Sequence, residues 1–219
     1  MLSFIVRTYN EERWVGHCIQ SIMDNVSGKY EIVVVDNEST DDTVKIVKMF
    51  NNKNLKIVTI PRKEYTPGKA LNLGLSSTSK KSKAGCLISA HCTVSNINAE
   101  KIVQHFTDNK CFGIIGKQVP IYRGKKLKSV YVWENFSHDK IIKNLKENSG
   151  DDSVFFHNAF SFVNMAVWKQ NNFCEEVSGK EDRVWAKELY NKEYHSLYDS
   201  EHICHHHWTS CCATWNGMG

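Results

Sequence analysis

Short apolar runs alternate along this chain with segments whose apolar residues recur every three or four positions. The first run, residues 2–6, reads as a strand and ends at Arg7-Thr8-Tyr9-Asn10-Glu11-Glu12. Trp14, Val15, Cys18, Ile19 and Ile22 then share one face of a helix, with Asn10 placed to cap it. Ile32-Val33-Val34-Val35 is an unbroken β-branched run, the pattern of a strand covered on both faces, and it stops at Asp36. A second helix follows on Val44, Val47 and Phe50, and Ser39 with Asp42 three residues on resembles a capping box. Residues 56–60 add another strand. This β-α-β-α-β order predicts a parallel sheet with right-handed crossovers.

Beyond it the rhythm loosens. Residues 61–68 form a loop with two prolines, and Lys69-Ala70-Leu71-Asn72-Leu73-Gly74 reads as a short helix ending near its glycine. Residues 76–84, rich in Ser and Lys, read as a solvated linker. A strand over 86–89 stops at Ser89-Ala90-His91, a helix spans 98–106 and a strand 111–115. Gly116-Lys117-Gln118-Val119-Pro120 breaks the alternation. Residues 125–152 are basic and polar, with Tyr131, Trp133 and Phe136, the text of an irregular insert that covers a site. A strand over 160–164 leads into a helix over 166–170. Gly179-Lys180-Glu181-Asp182 then opens a helix on which Val184, Trp185 and Leu189 share a face. Residues 195–198 are a last short strand, and the chain closes with His202 and Ile203-Cys204-His205-His206-His207-Trp208.

Composition narrows the class. With 219 residues, 41% of them hydrophobic, the chain can bury one good core. Its net charge of +4 is too small to argue for nucleic acid, and no aromatic stacking motif accompanies it. No apolar run reaches membrane-spanning length, and the first residues lack a basic segment and a cleavage site, so no signal peptide is expected. The eight cysteines show no disulfide-like spacing. A reducing cytoplasmic setting, with the thiols as small core residues, is the expectation.

Three places carry candidate chemistry. Asp36 ends a central strand just before a helix, at the rim where open α/β sheets bind ligands, although an acidic turn residue in water fits the same pattern. Glu181 and Asp182 are either acids favourably placed in a helix's first turn or a catalytic pair. The closing histidines are surface residues of a frayed tail or, with Cys204 and Cys211-Cys212, a zinc site that lacks the usual Cys-x-x-Cys spacing. Trp14, Trp168 and Trp185 read as core, whereas Trp133 in the insert is a candidate platform for an acceptor sugar.

Taken in order, several of these segments resemble the inverting glycosyltransferases of family 2, which have the GT-A fold. They are Thr8-Tyr9-Asn10-Glu11-Glu12, Asp36, the Ser39-Thr40-Asp41-Asp42-Thr43 turn, Lys69 to Gly74, Glu181-Asp182 and the terminal His205-x-His207. GKQVP at 116–120, EDRVWA at 181–186 and the histidine tail are similar to a rhamnosyltransferase-like branch. The resemblance implies one α/β GT-A-like domain over 1–219, its mostly parallel central sheet flanked by helices, with about 1–95 as the nucleotide-binding half and about 96–219 as the acceptor and catalytic half. It implies a nucleotide-diphosphate sugar donor held by Thr8, Tyr9, Asn10, Glu11, Asp36, Lys69, Asn72, Ser89 and Ala90. Asp182 would be the general base, with Glu181 turned elsewhere, toward an acceptor hydroxyl.

The family's Asp-x-Asp metal motif falls on Ser89-Ala90-His91, and both aspartates are missing. His91, with His205 and His207 from one face of a strand-like tail, would then hold a divalent ion, Mn2+ more readily than Mg2+. Lys or Arg neutralising the diphosphate is the alternative. The acceptor implied is a glycan or glycolipid, with peripheral contact at the inner face of the membrane and no nucleic-acid partner; the oligomeric state stays open. Two other functions compete: a non-catalytic nucleotide- or sugar-binding module with a degenerate metal site, and a zinc-stabilised interaction domain.

Overall fold

Strand β1 (Leu2–Thr8) lies between two parallel neighbours, β3 (Tyr30–Asp36) and β5 (Ala84–Ser89), in a computed structural model that describes residues 1–126, 139–143 and 156–208. On the far side of β3 lies β4 (Leu55–Thr59), also parallel. This four-stranded part is the parallel sheet that the alternation predicts. Phe4, Val6, Ile32 and Val34 face one layer, built from α1 (Val15–Asn25), α2 (Thr43–Met49) and α4 (Ala99–His105). Ile5, Val33 and Val35 face the other, which holds α3 (Pro67–Ser76), α5 (Met165–Gln170) and α6 (Glu181–Asn191). Burial on both faces is the reason that β3 reads as continuous valine and isoleucine.

The other half of the sheet is mixed. β10 (Phe160–Asn164) runs antiparallel between β5 and β7 (Cys111–Tyr122), and β11 (His195–His207) pairs parallel with β7. β6 (Cys92–Asn98), for which the sequence showed no clear pattern, closes this side antiparallel to β11 and pairs with the short β2 (Val26–Ser27). β8 (Lys125–Lys126) pairs with β7, and β9 (Lys140–Ile142) with β11. No helix among the described residues is long and apolar enough to cross a membrane. Residues Tyr131, Trp133, Phe136, Cys211 and Cys212 lie outside the described residues, and with them the acceptor platform and part of the zinc ligand set.

Several local expectations are corrected. Asn10 does not cap α1; it sits at φ 52° and its side chain accepts from Thr40 N–H at 2.8 Å, tying the first loop to the second. Ser39 and Asp42 make no capping box, because Ser39 Oγ accepts instead from Asn10 N–H and Asp41 accepts from Thr43 N–H. The short helix at 69–74 extends over Pro67–Ser76, and Gly74 lies inside it. A Cβ there would meet Ile5 Cγ2 at 2.3 Å, so the glycine lets α3 press onto β1. GKQVP does not break the sheet: β7 runs through it, with Pro120 near the end. The tail is no frayed end either, since β11 continues from His195 to His207. Cys18, Cys86, Cys111 and Cys204 form no disulfide, and burial pushes the Cys18, Cys86 and Cys204 thiols up, with Cys111 at about 12. They behave as core.

Candidate active site

The carboxyl ends of β1, β3 and β5 open onto a cleft of about 770 Å³. Its wall includes Thr8, Tyr9, Glu11, Asn37, Ser89 and His91 from that rim, and Lys180, Glu181, Asp182 and Arg183 from the start of α6. Segments far apart in sequence therefore converge on one opening, at the rim where parallel sheets bind ligands.

On the parallel side, Asp36 is buried just behind the wall. It accepts from Thr8 Oγ1 at 3.1 Å and from Ser39 N–H at 3.1 Å, holding two loops in register. Tyr9 and Tyr65 are each more than a third exposed, and the Arg62 guanidinium lies 3.8 Å above the Tyr9 ring. This leaves a flat aromatic and cationic surface beside the polar rim. Lys69, Asn72, Asn10 and Ala90 do not line the cleft. Asn72 binds Trp168 Nε1, Phe173 N–H, Phe173 O and Glu175 Oε1, so its side chain is spent on fixing the 173–175 segment.

On the opposite wall, α6 is anchored by aromatic packing. Trp185 meets Phe112, Phe156 and Phe173 with ring centroids 5.3, 5.2 and 4.6 Å apart. Gly179 and Lys180 both take left-handed backbone, φ 96° and 64°, and turn the chain so that the helix starts at the cleft. Glu181 and Asp182 then continue the same buried face as Trp185 and Ala186. Glu181 is thus not turned elsewhere: it lies 3.7 Å from Arg7 Nη1 and accepts from Asn158 Nδ2. Burial raises its carboxyl above the usual range, partly offset by the Arg7 charge. Asp182 accepts from Asn158 N–H at 3.1 Å and Arg183 N–H at 2.8 Å, so two backbone donors hold its carboxylate in one orientation. Asn158 Oδ1 in turn accepts from Arg7 Nη2 at 2.8 Å, joining the two walls.

The third wall is histidine. His91 Nδ1 lies 2.8 Å from Glu11 Oε1, which places a proton on Nδ1 and leaves the lone pair of the neutral ring on Nε2. His206 Nδ1 lies 3.0 Å from Gln118 Oε1, with the same consequence. The two Nε2 atoms are 3.1 Å apart. Two lone pairs at that distance repel unless a cation lies between them, a proton or a metal ion. Imidazoles whose other nitrogen is held by an acceptor are the arrangement that metal-binding histidines use. The donor set therefore fits a divalent ion that accepts nitrogen, and suits Mg2+ poorly. Burial pushes His206 well below the ordinary imidazole value and keeps it neutral. Among the described residues no group of three or more His, Cys, Asp or Glu could hold a metal, so further ligands would be substrate or water oxygens.

His205 and His207 share a face, as period two requires, but neither lines the cleft. The His207 backbone N–H donates to His91 O at 3.0 Å, while its ring turns to other partners. His207 stacks on Trp14, centroids 4.7 Å apart, and its Nε2 lies 3.1 Å from Thr93 Oγ1. The middle histidine of the run is the one that meets His91. Arg7, Arg62, His157 and Asn158 are site residues that no local pattern marked. Arg7 alone had a signal, as a cation at the end of the first strand.

A crystal structure of S. aureus TarS 1-349 in complex with UDP matches 95% of this chain and 61% of that chain, with a TM-score of 0.71 at 20% identity. A crystal structure of GalNAc-T7 with UDP, GalNAc and Mn2+ matches 95% of this chain and 44% of that chain, with a TM-score of 0.73 at 12% identity. At such identities the likeness establishes the fold, which is the GT-A type. The model of Glycosyl transferase family 2 matches residues 3–170, and the chain belongs to that family. It is similar to the O-antigen chain rhamnosyltransferase WbaN of Salmonella anatum, 25% identical over 210 residues, which is 93% of this chain and 65% of the relative. The chain thus spans slightly less than two thirds of that relative's length.

Proposed function

We propose that this chain is an inverting glycosyltransferase that moves a sugar from a nucleotide-diphosphate donor to a hydroxyl of a glycan or glycolipid, with Asp182 as general base. The observation that carries it is the placement of Asp182, held by two backbone N–H groups, across one cleft from Thr8, Tyr9 and Asn37. Thr8, Tyr9 and Asp36 belong to the half that binds the nucleotide, and α6 to the half that receives the acceptor. As the acceptor oxygen bonds to the anomeric carbon, Asp182 takes its proton, and the carbon–oxygen bond to the diphosphate breaks on the opposite face. Arg7 and Asn158 keep α6 at the distance this step needs. His91 and His206 would hold a divalent ion, which when bound neutralises charge on the departing diphosphate. The WbaN name and the +4 charge support an acceptor in cell-surface polysaccharide assembly, reached at the cytoplasmic face of the membrane.

A panel of nucleotide sugars, with and without Mn2+, should reveal donor binding or slow donor hydrolysis. Asp182→Asn should lower transfer by about 10²- to 10⁴-fold while nucleotide affinity stays within a few-fold. Silence toward every donor would count against the enzyme. An Asp182→Asn protein as active as its parent would remove the base. The loss of both metal-motif aspartates favours a second function, a binding module without catalysis, which predicts nucleotide binding and no turnover.

A further inference from the structure

The GKQVP segment has a buried amide at its centre. Gln118 lies on β7 just beyond the point where β10 stops pairing, so its side chain meets the 157–159 loop instead of a strand. Its Nε2 lies 3.4 Å from His157 Nδ1, and its Oε1 3.0 Å from His206 Nδ1. Which way the amide points can be worked out from a group that has no choice. The backbone N–H of Ala159 donates to His157 Nδ1 at 3.3 Å, so that nitrogen must carry the lone pair. The Gln118 group facing it must then be the NH2, which turns Oε1 toward His206. An oxygen there accepts, so His206 carries its proton on Nδ1 and presents Nε2 to His91. Protons thus run from His206 through Gln118 to His157, where the Ala159 N–H meets them from the other side.

We propose that Gln118 is a positioning residue: it transmits the direction set by the Ala159 backbone N–H and so fixes His157 as the Nε2–H tautomer and His206 as the Nδ1–H tautomer. The consequence reaches both ends of the cleft. His206 is kept as a nitrogen donor toward His91, and His157, close enough to Asp182 to feel its charge, keeps its N–H on Nε2. The metal arm of this inference rests on the proposed role of His91 and His206; the tautomer arm does not.

Nitrogen-15 NMR of the full chain with labelled histidine reads the tautomers directly. The parent should show His206 protonated at Nδ1 and His157 at Nε2. In Gln118→Met, which keeps the volume and removes both bonds, His206 should move its proton to Nε2 and donate to His91. Mn2+ affinity, followed by the electron spin resonance of the free ion, should fall about 10- to 100-fold. Gln118→Glu, still an acceptor for His206, should keep the Nδ1–H form and hold affinity within a few-fold. An unchanged His206 tautomer in a folded Gln118→Met protein would overturn the proposal. A parent with the expected tautomers that binds no Mn2+ would support the role of Gln118 and refute the two-histidine ion site.

Discussion

β3 and β11 sit in one sheet and bury opposite things. From Ile32 to Val35, β3 places only hydrocarbon in the interior, and its buried acid, Asp36, waits at the end. β11 buries Ser196, Asp199, His202 and His206 along its length. Each needs its own partner: Ser196 bonds Tyr190 OH at 2.7 Å, Asp199 lies 2.8 Å from His202 Nδ1, and His206 bonds Gln118. β3 is held by the area it removes from water, which is tolerant of detail. β11 is held by directional bonds, where losing one partner leaves a desolvated group behind. One strand is scaffold that ends at the cleft rim; the other carries buried polar pairs along its length and meets His91 near its end.

The comparison is tested first where its expected effect is largest. Ile32→Ala removes buried hydrocarbon from β3 and should cost about 2–5 kcal/mol in denaturant unfolding. Because the Ile32 side chain packs against hydrocarbon, the cost should be the same at pH 8 and pH 4. A cost that changes with pH would mean that β3 is tied to ionising groups after all.

On β11 the expected effect is smaller and carries a pH signature. Burial alone would raise the Asp199 carboxyl, but its bond to the His202 ring, that ring's charge and two backbone N–H groups bring it down to about 2. A carboxyl depressed in the folded state stabilises above its unfolded value of about 3.9, and the benefit is lost as pH falls toward 2. The shift corresponds to about 2 kcal/mol. Asp199→Asn should therefore be less stable than the parent at pH 7, with the gap closing between pH 4 and pH 2. A gap that stayed constant over that range would show that the charge is not what holds this part of β11.

The same contrast explains what was legible beforehand. β3, β1 and their helices follow apolar periodicity, so the parallel half, and Asp36 at its rim, could be found by pattern. β11 could not. Its 13 residues include five histidines and two acids, and bulges at Ser196 and after Asp199 shift its register, so only its first four residues looked like a strand. His206 was passed over for His205 and His207, because which face of a strand turns inward depends on its neighbours and not on its own spacing. Asn158 was invisible and Arg7 showed only as a cation at a strand end, for a related reason: their role comes from lying between two walls that meet only in three dimensions. Asp182 was named from the resemblance, and local pattern alone left it undecided.

The smallest effect probes the seam between the two regions. Thr66 caps α3, its Oγ1 accepting from Lys69 N–H at 3.2 Å while donating to Glu175 O at 2.7 Å. Beside it, a Cβ on Gly68 would sit 2.0 Å from Cys174 O, so the helix start is pressed against the 173–175 segment between α5 and α6. If the parallel half is a scaffold in its own right, α3 keeps its packing on Ile5 and Val35 when the cap is lost, and Thr66→Ala costs about 1 kcal/mol in thermal unfolding. A cost several times larger would mean that α3 is held in place by the 173–175 segment and not by the sheet beneath it. The parallel half would then depend on the segment between α5 and α6 for its own third layer, and the division into scaffold and site would have to be redrawn along α3.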